Sequence, residues 1–247
     1  MSTTTSTENS GLLGVLNPAF EAKYNIKMHV IPVGTGKALK IGGNGDVDIV
    51  FVHAPSAELK YVKQGDFIDR SAVMHNDFVI VGPENDPAGI ASTKTVTEAL
   101  AKISANQSSF ISRGDDSGTH KKEIQLWRNA HIKPNGEWYL AVGQGMGSVL
   151  KMTNDLQAYT LTDRGTLLAY SDKISLKILS EGDSLLYNPY HIMAVNPKKH
   201  LSVQYDFAQK YITFLTGNEG QSIIKNFRLR GQPLFYPDAT PHAIPKK

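Results

Sequence analysis

Short apolar runs alternate with helical patterns along most of this chain, and a polar turn usually stands between them. Residues 47–52 are mostly apolar, a polar turn follows at 53–56, and residues 57–63 have a helical pattern. A similar turn leads from residues 110–111 into a second helical pattern that contains Trp127. Strands that alternate with helices favour a layered architecture with largely parallel sheets. We therefore predict an α/β fold.

The composition limits the class of protein. The chain has 247 residues, of which 40% are apolar, enough for one large domain or for two of about 100–150 residues each. A net charge of only +3, without a long basic block, argues against nucleic acid as a partner. The chain contains no cysteine, which excludes disulfides and thiolate metal sites. No apolar run reaches the roughly 18–20 residues of a membrane span, and we expect that an export signal has been removed from this sequence.

The most informative turn spans residues 112–123, which read Ser-Arg-Gly-Asp-Asp-Ser-Gly-Thr-His-Lys-Lys-Glu. The first N–H groups of a helix lack intrahelical partners, and the helix dipole favours negative charge there. Gly118 allows close approach to the backbone, while Ser117 and Thr119 add hydroxyl donors. Arg113 adds a planar cation suited to oxyanions. The segment predicts an oxyanion site; an ordinary N-cap beside a solvated Arg113 is the alternative.

Two further turns offer the same kind of donor. Thr4, Thr5 and Ser6 belong to a dense run of hydroxyl side chains before a helical stripe, and Ser56 closes the turn at 53–56. Each turn could simply cap a helix, and the Ser/Thr run could be a frayed terminus. Three turns with hydroxyls and unpaired amides in one chain nevertheless favour anion binding more than any one of them does alone.

The sequence offers little for catalysis or for a protein-bound metal cation. Asp115 and Asp116 could be paired carboxylates, but acidic residues favour helix N-terminal turns in any case, and we expect them to brace Arg113 or nearby amides. His120 and Glu123 have a spacing found in some metal sites, yet the lysines between them favour a solvated face. No nucleophile elbow, dinucleotide fingerprint or Walker motif is present. We therefore expect a protein that is not an enzyme and that has no cofactor.

Two strand-like segments resemble each other. Residues 76–83 and 188–197 each contain Asn, an aromatic residue two positions later, an apolar run and a closing Pro. Such a pair could cross twice between two lobes, although two buried strands can also be similar by coincidence. We predict lobe I at residues 1–78 plus 193–247, lobe II at 79–192, and a ligand cleft between the lobes, where α/β folds often bind ligands.

The last stretch, residues 232–247, carries four prolines. Because proline removes a backbone donor and fixes φ, this composition predicts an irregular tail along the surface.

Taken together, the motifs resemble the substrate-binding component of tungstate ABC importers, within the wider group of molybdate, sulfate and phosphate binders. The run at 112–123 is the most specific part of the match, and short pieces such as Ser-Gly-Thr are shared with phosphate binders. The other segments that carry the resemblance are Thr3-Thr4-Thr5-Ser6 and residues 52–56, 76–83, 143–147 and 158–166.

The resemblance implies a two-lobed periplasmic-binding-protein fold of type II with two crossover hinge strands. It implies a monomeric protein, periplasmic or anchored to the outer face of a membrane, that delivers tungstate to a permease without catalysis. The oxyanion contacts that it implies fall on Thr4, Thr5, Ser6, Ser56, Arg113, Ser117, Gly118 and Thr119.

Other functions stay open at this point. Tungstate and molybdate are deprotonated dianions of nearly equal size, so a site made only of donors would suit both. Phosphate carries a proton near neutral pH and would need an acceptor, such as Asp115 or Asp116 turned inward. An enzyme acting on a phosphorylated substrate would use Asp116 and His120 as an acid–base pair.

Overall fold

The computed structural model describes residues 1–239, and the chain divides into two compact units. Unit 1 contains Met1–His75 and the chain from Pro189 onward, and unit 2 contains Asn76–Asn188. The last residues of the predicted lobe I, 240–247, lie outside the described part.

Strands and helices alternate, as the sequence pattern predicted. The described strands are β1 (Ser2–Thr4), β2 (Ile31–Val33), β3 (Ile49–Val52), β4 (Phe67–Gly82), β5 (Phe110–Ser112), β6 (Tyr139–Ala141), β7 (Thr160–Asp163), β8 (Lys177–Ser180), β9 (Tyr187–Val195), β10 (Arg228–Leu229), β11 (Gln232–Pro233) and β12 (Tyr236–Pro237). The described α-helices are α1 (Thr5–Asn9), α2 (Leu13–Tyr24), α3 (Thr35–Gly43), α4 (Pro55–Gln64), α5 (Val96–Ala105), α6 (Gly118–Asn129), α7 (Met146–Asp155), α8 (Arg164–Tyr170), α9 (Tyr205–Thr216) and α10 (Asn218–Asn226).

Unit 1 is built on a sheet with the strand order β12-β4-β9-β3-β1-β2. β1 lies between β2 and β3 and is parallel to both, whereas β3 is antiparallel to β9. All four residues of β3 are buried, because its two faces are covered. On one face Val50 and Val52 pack with Ala38 and Leu39 of α3. Apolar side chains on both faces explain why this strand has a nearly continuous apolar sequence.

The parallel strands of unit 1 bring three helix N-termini to one edge of its sheet. β1, β2 and β3 run in the same direction, and α1, α3 and α4 follow them within three residues. The first amide groups of all three helices therefore lie at the carboxyl edge of the sheet, which is where α/β folds bind ligands.

Unit 2 repeats this arrangement with its own strands. The second part of β4 pairs antiparallel with β7 and β8. β5 is parallel to β6, and a parallel bridge from Phe110 to Tyr159 places the start of β7 beside β5. The helices α6, α7 and α8 follow β5, β6 and β7, so their N-termini also lie at one edge. Phe110, Trp127 and Tyr159 are among the large side chains of the core beneath.

The two similar sequence segments form β4 and β9, and both strands pass from one unit into the other. β4 enters unit 2 between His75 and Asn76, and β9 returns to unit 1 between Asn188 and Pro189. The buried Asn188 side chain donates a hydrogen bond to Asn76 Oδ1 at 2.7 Å. This pair ties the strands together at the point where each changes unit.

The prediction of an irregular surface tail is wrong for residues 232–239. Leu234 and Phe235 are buried, and β12 pairs antiparallel with β4 through the partners Tyr236 and His75. Because β12 lies at the end of the sheet order, its proline removes no bond needed by a central strand. The remainder of that predicted tail, 240–247, is outside the described residues.

Among residues 1–239, no helix combines the length and the apolar character needed to cross a bilayer.

Candidate functional site

The first candidate turn is the join between β1 and α1. Thr4 is the N-cap of α1, and its Oγ1 accepts a hydrogen bond from Thr7 N at 3.2 Å. The same oxygen lies 2.6 Å from Thr7 Oγ1 and 3.0 Å from Ser6 Oγ. Thr4 is buried, Ser6 is half-buried and Thr5 is exposed. The Thr4 side chain is thus occupied within the turn, whereas Thr5 is exposed and Ser6 is half-buried with a contact to Thr4.

His53 connects this turn to the end of β3. Its Nε2 lies 3.2 Å from Thr4 Oγ1 and 3.2 Å from Ser6 Oγ. The imidazole stacks on Tyr190 with ring centroids 4.6 Å apart and planes 25° from parallel. The sequence offered His53 only as part of a turn, and its position directly after a buried strand was the available signal.

Ser56 is in the first turn of α4, the second candidate. Pro55 opens this helix, where its missing N–H removes no intrahelical bond, and Ala54 is an N-cap without a side-chain hydrogen bond. Ser56 is exposed, so its hydroxyl can reach a ligand at the carboxyl edge of the sheet.

A buried carboxylate fixes the backbone of this turn from behind. Glu58 is fully buried, and its Oε1 accepts a hydrogen bond from Ala54 N at 2.7 Å. Its other oxygen pairs with Arg70 at 2.8 Å. His191 Nδ1 lies 3.0 Å from the same oxygen, but its angle is too poor for a hydrogen bond. Because Arg70 supplies a compensating charge, the carboxylate can stay buried while it orders the turn.

The start of α3 at residues 34–36 is a further helix N-terminus at this edge, and it is not among the predicted site residues. Gly34 is an exposed N-cap with extended backbone and no side-chain cap, and Thr35 is half-buried. The pairing of Thr4 with Val33 places this turn beside the Thr4–Ser6 turn. The signal was the same Gly/Thr-rich turn between a strand and a helix that identified the other candidates.

In unit 2, Asp115 holds Arg113 at the end of β5. Arg113 donates from Nε to Asp115 Oδ2 at 3.1 Å and from a terminal nitrogen to the same oxygen at 2.5 Å. Ser117 N donates to Asp115 Oδ1 at 3.2 Å. Burial alone would raise the pKa of Asp115, but the bonds from Arg113 and Ser117 outweigh it, so the pKa lies below its ordinary value. The expectation that Asp115 and Asp116 brace Arg113 or nearby amides is confirmed for Asp115, whereas the Asp116 carboxylate pairs with Lys121 instead.

Ser117, Gly118 and Thr119 form the start of α6, as predicted. Ser117 is the N-cap, and its Oγ accepts a hydrogen bond from His120 N at 3.3 Å. Ser117 and Gly118 are half-buried, and Thr119 is buried. The cap is a neutral hydroxyl, and the Asp115 carboxylate beside it is paired with Arg113, so the positive end of this helix keeps its attraction for an anion.

The start of α7 lies directly beside Arg113. Gln144 N donates to Arg113 O at 3.2 Å, and Val142 N donates to Ser112 O at 3.1 Å. Gly145 is an exposed N-cap without a side-chain hydrogen bond. A second helix N-terminus with no acidic cap therefore begins beside the main chain of Arg113.

The third helix of unit 2 begins differently. Asp163 caps α8, accepting hydrogen bonds from Thr166 N at 2.8 Å and from Thr166 Oγ1 at 2.6 Å. A carboxylate already occupies this N-terminus and would repel a second anion. The donors suited to an anion in unit 2 are therefore those of α6, α7 and Arg113.

A buried acid lies one turn deeper in α6. Glu123 Oε1 accepts hydrogen bonds from Tyr139 OH at 2.6 Å and from Trp127 Nε1 at 3.2 Å. Burial raises its pKa by more than these donors lower it. The acid connects α6 to β6 beneath the Arg113 turn.

Within each unit the structure brings the predicted residues to one edge. Thr4, Thr5, Ser6 and Ser56 belong to unit 1, and Arg113, Ser117, Gly118 and Thr119 belong to unit 2. Each edge offers backbone amides and hydroxyls, and the edge of unit 2 adds the cation Arg113, so the chemistry of each edge suits an oxyanion. No group of three or more His, Cys, Asp and Glu among residues 1–239 could hold a metal cation.

Comparisons with known proteins agree on one family. A family model described as a PBP superfamily domain matches residues 1–219. The tungstate-binding protein TupA of Peptoclostridium acidaminophilum is 43% identical over 243 residues, covering 97% of this chain and 85% of that protein.

Two solved structures are similar over more than nine-tenths of the chain. The tungstate-binding protein TupA from Desulfovibrio alaskensis G20 has a TM-score of 0.91 and 44% identity, covering 97% of this chain and 98% of that chain. The tungstate ABC transporter structure from Geobacter sulfurreducens has a TM-score of 0.83 and 57% identity, covering 92% and 97%. The chain therefore belongs to the PBP superfamily and, within it, to the family of the TupA proteins.

Proposed function

We propose that this chain is the extracytoplasmic substrate-binding component of an ABC importer and that it captures tungstate. The observation that carries the proposal is the repeated edge geometry: in each unit, neutral or uncapped helix N-termini stand side by side after parallel strands. The names of its relatives, tungstate-binding protein TupA, supply the identity of the ion.

The donor set fits a dianion that carries no proton. Burying an oxyanion costs free energy unless its oxygens accept hydrogen bonds. The amides of the α1, α3, α6 and α7 turns, the hydroxyls of Thr5, Ser6, Ser56 and Ser117, and Arg113 can provide these bonds. Hydrogen bonds to a charged acceptor are about twice as strong as neutral ones, so such a set can replace the hydration of the ion.

The same set should discriminate against phosphate. A phosphate proton would need an acceptor, and Asp115, the acidic side chain nearest to Arg113, is occupied by Arg113 and Ser117 N. Leaving a polar group unpaired costs about 1–3 kcal/mol. Sulfate has the right charge, but its shorter bonds draw its oxygens away from donors fixed on separate helices, and hydrogen bonds weaken beyond about 3.2 Å.

The contacts of Asp116 and His120 do not favour the alternative of an enzyme that uses them as an acid–base pair. His120 Nδ1 accepts a hydrogen bond from Asp116 N at 3.0 Å, and the exposed Asp116 carboxylate pairs with Lys121 at 3.0 Å. Neither group is positioned against the other as an acid and a base. We propose that the protein delivers its ligand without chemical change, acts as a monomer, and is periplasmic or membrane-anchored with a membrane permease as its partner.

The test is calorimetric titration of ligand-stripped protein with tungstate, molybdate, sulfate and phosphate at one fixed pH. We expect saturable binding of tungstate and molybdate and at least a tenfold weaker response to the other two. Binding of phosphate as tightly as tungstate would overturn the donor-only site. A clear preference for molybdate would overturn tungstate as the physiological ligand.

A further inference from the structure

His53 makes an unusual contact, because one ring nitrogen serves two hydroxyls of the candidate site. Nε2 is 3.2 Å from both Thr4 Oγ1 and Ser6 Oγ, and these two oxygens are 3.0 Å apart. Which group donates depends on whether Nε2 carries a proton. The direction of the Ser6 hydroxyl hydrogen is therefore linked to the state of one imidazole.

The ring is held so that it can perform this role. Tyr190 is 2% exposed and stacks on His53, and Phe235 contacts Tyr190 edge-on at 5.5 Å. His53 follows the carboxyl end of β3, which pairs with β9, and β9 carries Tyr190. A packed aromatic support fixes the plane of the imidazole, and with it the position of Nε2.

The two states of Nε2 have opposite consequences for an oxyanion. A protonated Nε2 donates to the pair of hydroxyls, so the Ser6 hydrogen can point at a ligand oxygen. An unprotonated Nε2 accepts a hydrogen from the pair, which takes a donor away from the ligand. Thr4 Oγ1 accepts from Thr7 N, and its own hydrogen can point at Thr7 Oγ1, 2.6 Å away. Ser6 is then the hydroxyl whose direction His53 decides.

We propose that His53 is a positioning residue of the oxyanion site, which presents an Nε2 proton to Thr4 and Ser6 and thereby turns the Ser6 hydroxyl toward the bound ion. This inference rests on the proposed function. It adds a residue that acts through Ser6 and needs no contact of its own with the ion.

Two substitutions at position 53 distinguish the effect of Nε2 on affinity from the effect of the aromatic ring. His53→Phe keeps a ring on Tyr190 and removes Nε2, whereas His53→Gln keeps an N–H donor near the Nε2 position. We expect tungstate affinity to fall about tenfold in His53→Phe, which corresponds to ~1.4 kcal/mol, and to stay within about threefold of the wild type in His53→Gln. The matched control is His29→Phe, at an exposed histidine before the amino end of β2.

A double-mutant cycle with Ser6→Ala tests whether His53 acts through Ser6. We expect His53→Phe to have little further effect on affinity once Ser6 is alanine, and nitrogen-detected NMR to show a protonated Nε2 in the tungstate complex. Additive losses, an unprotonated Nε2 in the complex, or equal losses in His53→Phe and His53→Gln would overturn the inference. If wild-type protein binds no oxyanion in the same titration, the proposed function fails instead.

Discussion

At the scale of single residues, Arg113 has a fixed direction because two of its nitrogens bind Asp115. The aspartate orders the guanidinium but also places a negative charge near any bound anion. In the proposed site the cation therefore has two tasks, to donate to the ligand and to neutralise Asp115. The Arg113→Ala variant would therefore remove a proposed donor and also leave the Asp115 carboxylate without its partner.

We expect Arg113→Ala to weaken tungstate binding by roughly ten- to a hundred-fold, since a hydrogen bond to a charged group contributes about 1.5–3 kcal/mol. Adding Asp115→Asn to that variant should restore part of the affinity, because the unpaired carboxylate is then removed. Titration calorimetry gives both values. The control is Lys121→Ala, an exposed cation of α6 that pairs with Asp116. Equal losses at Arg113 and Lys121 would mean that only general electrostatics matters.

The residue types of the site were readable from the sequence, whereas the residues that support them were not. Ser117 stands before a helical pattern, and a local hydroxyl before a helix is a strong capping signal. His53 acts across the chain on Thr4 and Ser6. Glu58 bonds locally to Ala54 N, but its partner Arg70 lies on β4. Such contacts depend on strand order and register, which local patterns do not contain.

At the scale of elements, the sequence pattern did not predict β1 because this strand is polar. Ser-Thr-Thr has no apolar alternation, yet Ser2, Thr3 and Thr4 are buried in the middle of the sheet. Ser2 Oγ donates to Ala38 O at 3.0 Å, and Thr3 Oγ1 donates to Phe51 O at 2.7 Å. Hydroxyls that bond to main-chain carbonyls can be buried at low cost.

The packing of α3 on its sheet should be sensitive to a single methyl group. A Cβ at Gly42 would lie 2.2 Å from Val50 Cγ2 and 2.9 Å from Phe67 Cε1, both of which belong to buried side chains. We expect Gly42→Ala to lower the free energy of unfolding by about 1–3 kcal/mol through overpacking. Gly36 of the same helix has nothing within 4 Å of its Cβ position, so Gly36→Ala should be neutral or stabilising by up to ~1 kcal/mol. Chemical denaturation of the ligand-free proteins compares the two, and equal stabilities would contradict this account of the packing.

The join of α6 and β6 should give stability a pH dependence. The pKa of Glu123 is raised from its ordinary value of 4.5 chiefly by burial, so the folded protein holds this proton at pH values where the unfolded chain has released it. Stability must then fall as the pH rises from about 4.5 through the folded pKa. Glu123→Gln keeps an oxygen acceptor for Tyr139 and Trp127 but cannot ionise.

We expect Glu123→Gln to gain stability relative to wild type as the pH rises through this window, measured by denaturant unfolding at several pH values. At the acidic end of this window the side chain at position 123 is neutral in both proteins. Any stability difference there therefore reflects the chemistry of the two side chains and not their charge. A stability difference that does not change with pH would show that the carboxyl group titrates equally in the folded and unfolded chains.

At the scale of the whole molecule, the two crossing strands were the most useful long-range signal in the sequence. Their common pattern of Asn, aromatic residue, apolar run and Pro has a physical reason in the structure. Asn76 and Asn188 bond to each other, and the apolar runs continue as buried strands in both units. That the two units share one bound ion stays a prediction.

This prediction can be tested with one substitution in each unit. If both units supply donors to one ion, wild type should bind one tungstate per chain, and Ser6→Ala and Arg113→Ala should each weaken that single binding event. Ser6→Ala should cost about 0.5–1.5 kcal/mol, or roughly two- to twelve-fold in affinity, as for a neutral donor. Because a ligand that binds only the folded state stabilises by about 2.7 kcal/mol at a hundred times its Kd, saturating tungstate should also raise the wild-type melting temperature. Two ions per chain, each lost with one of the two substitutions, would show instead that the two edges are separate sites.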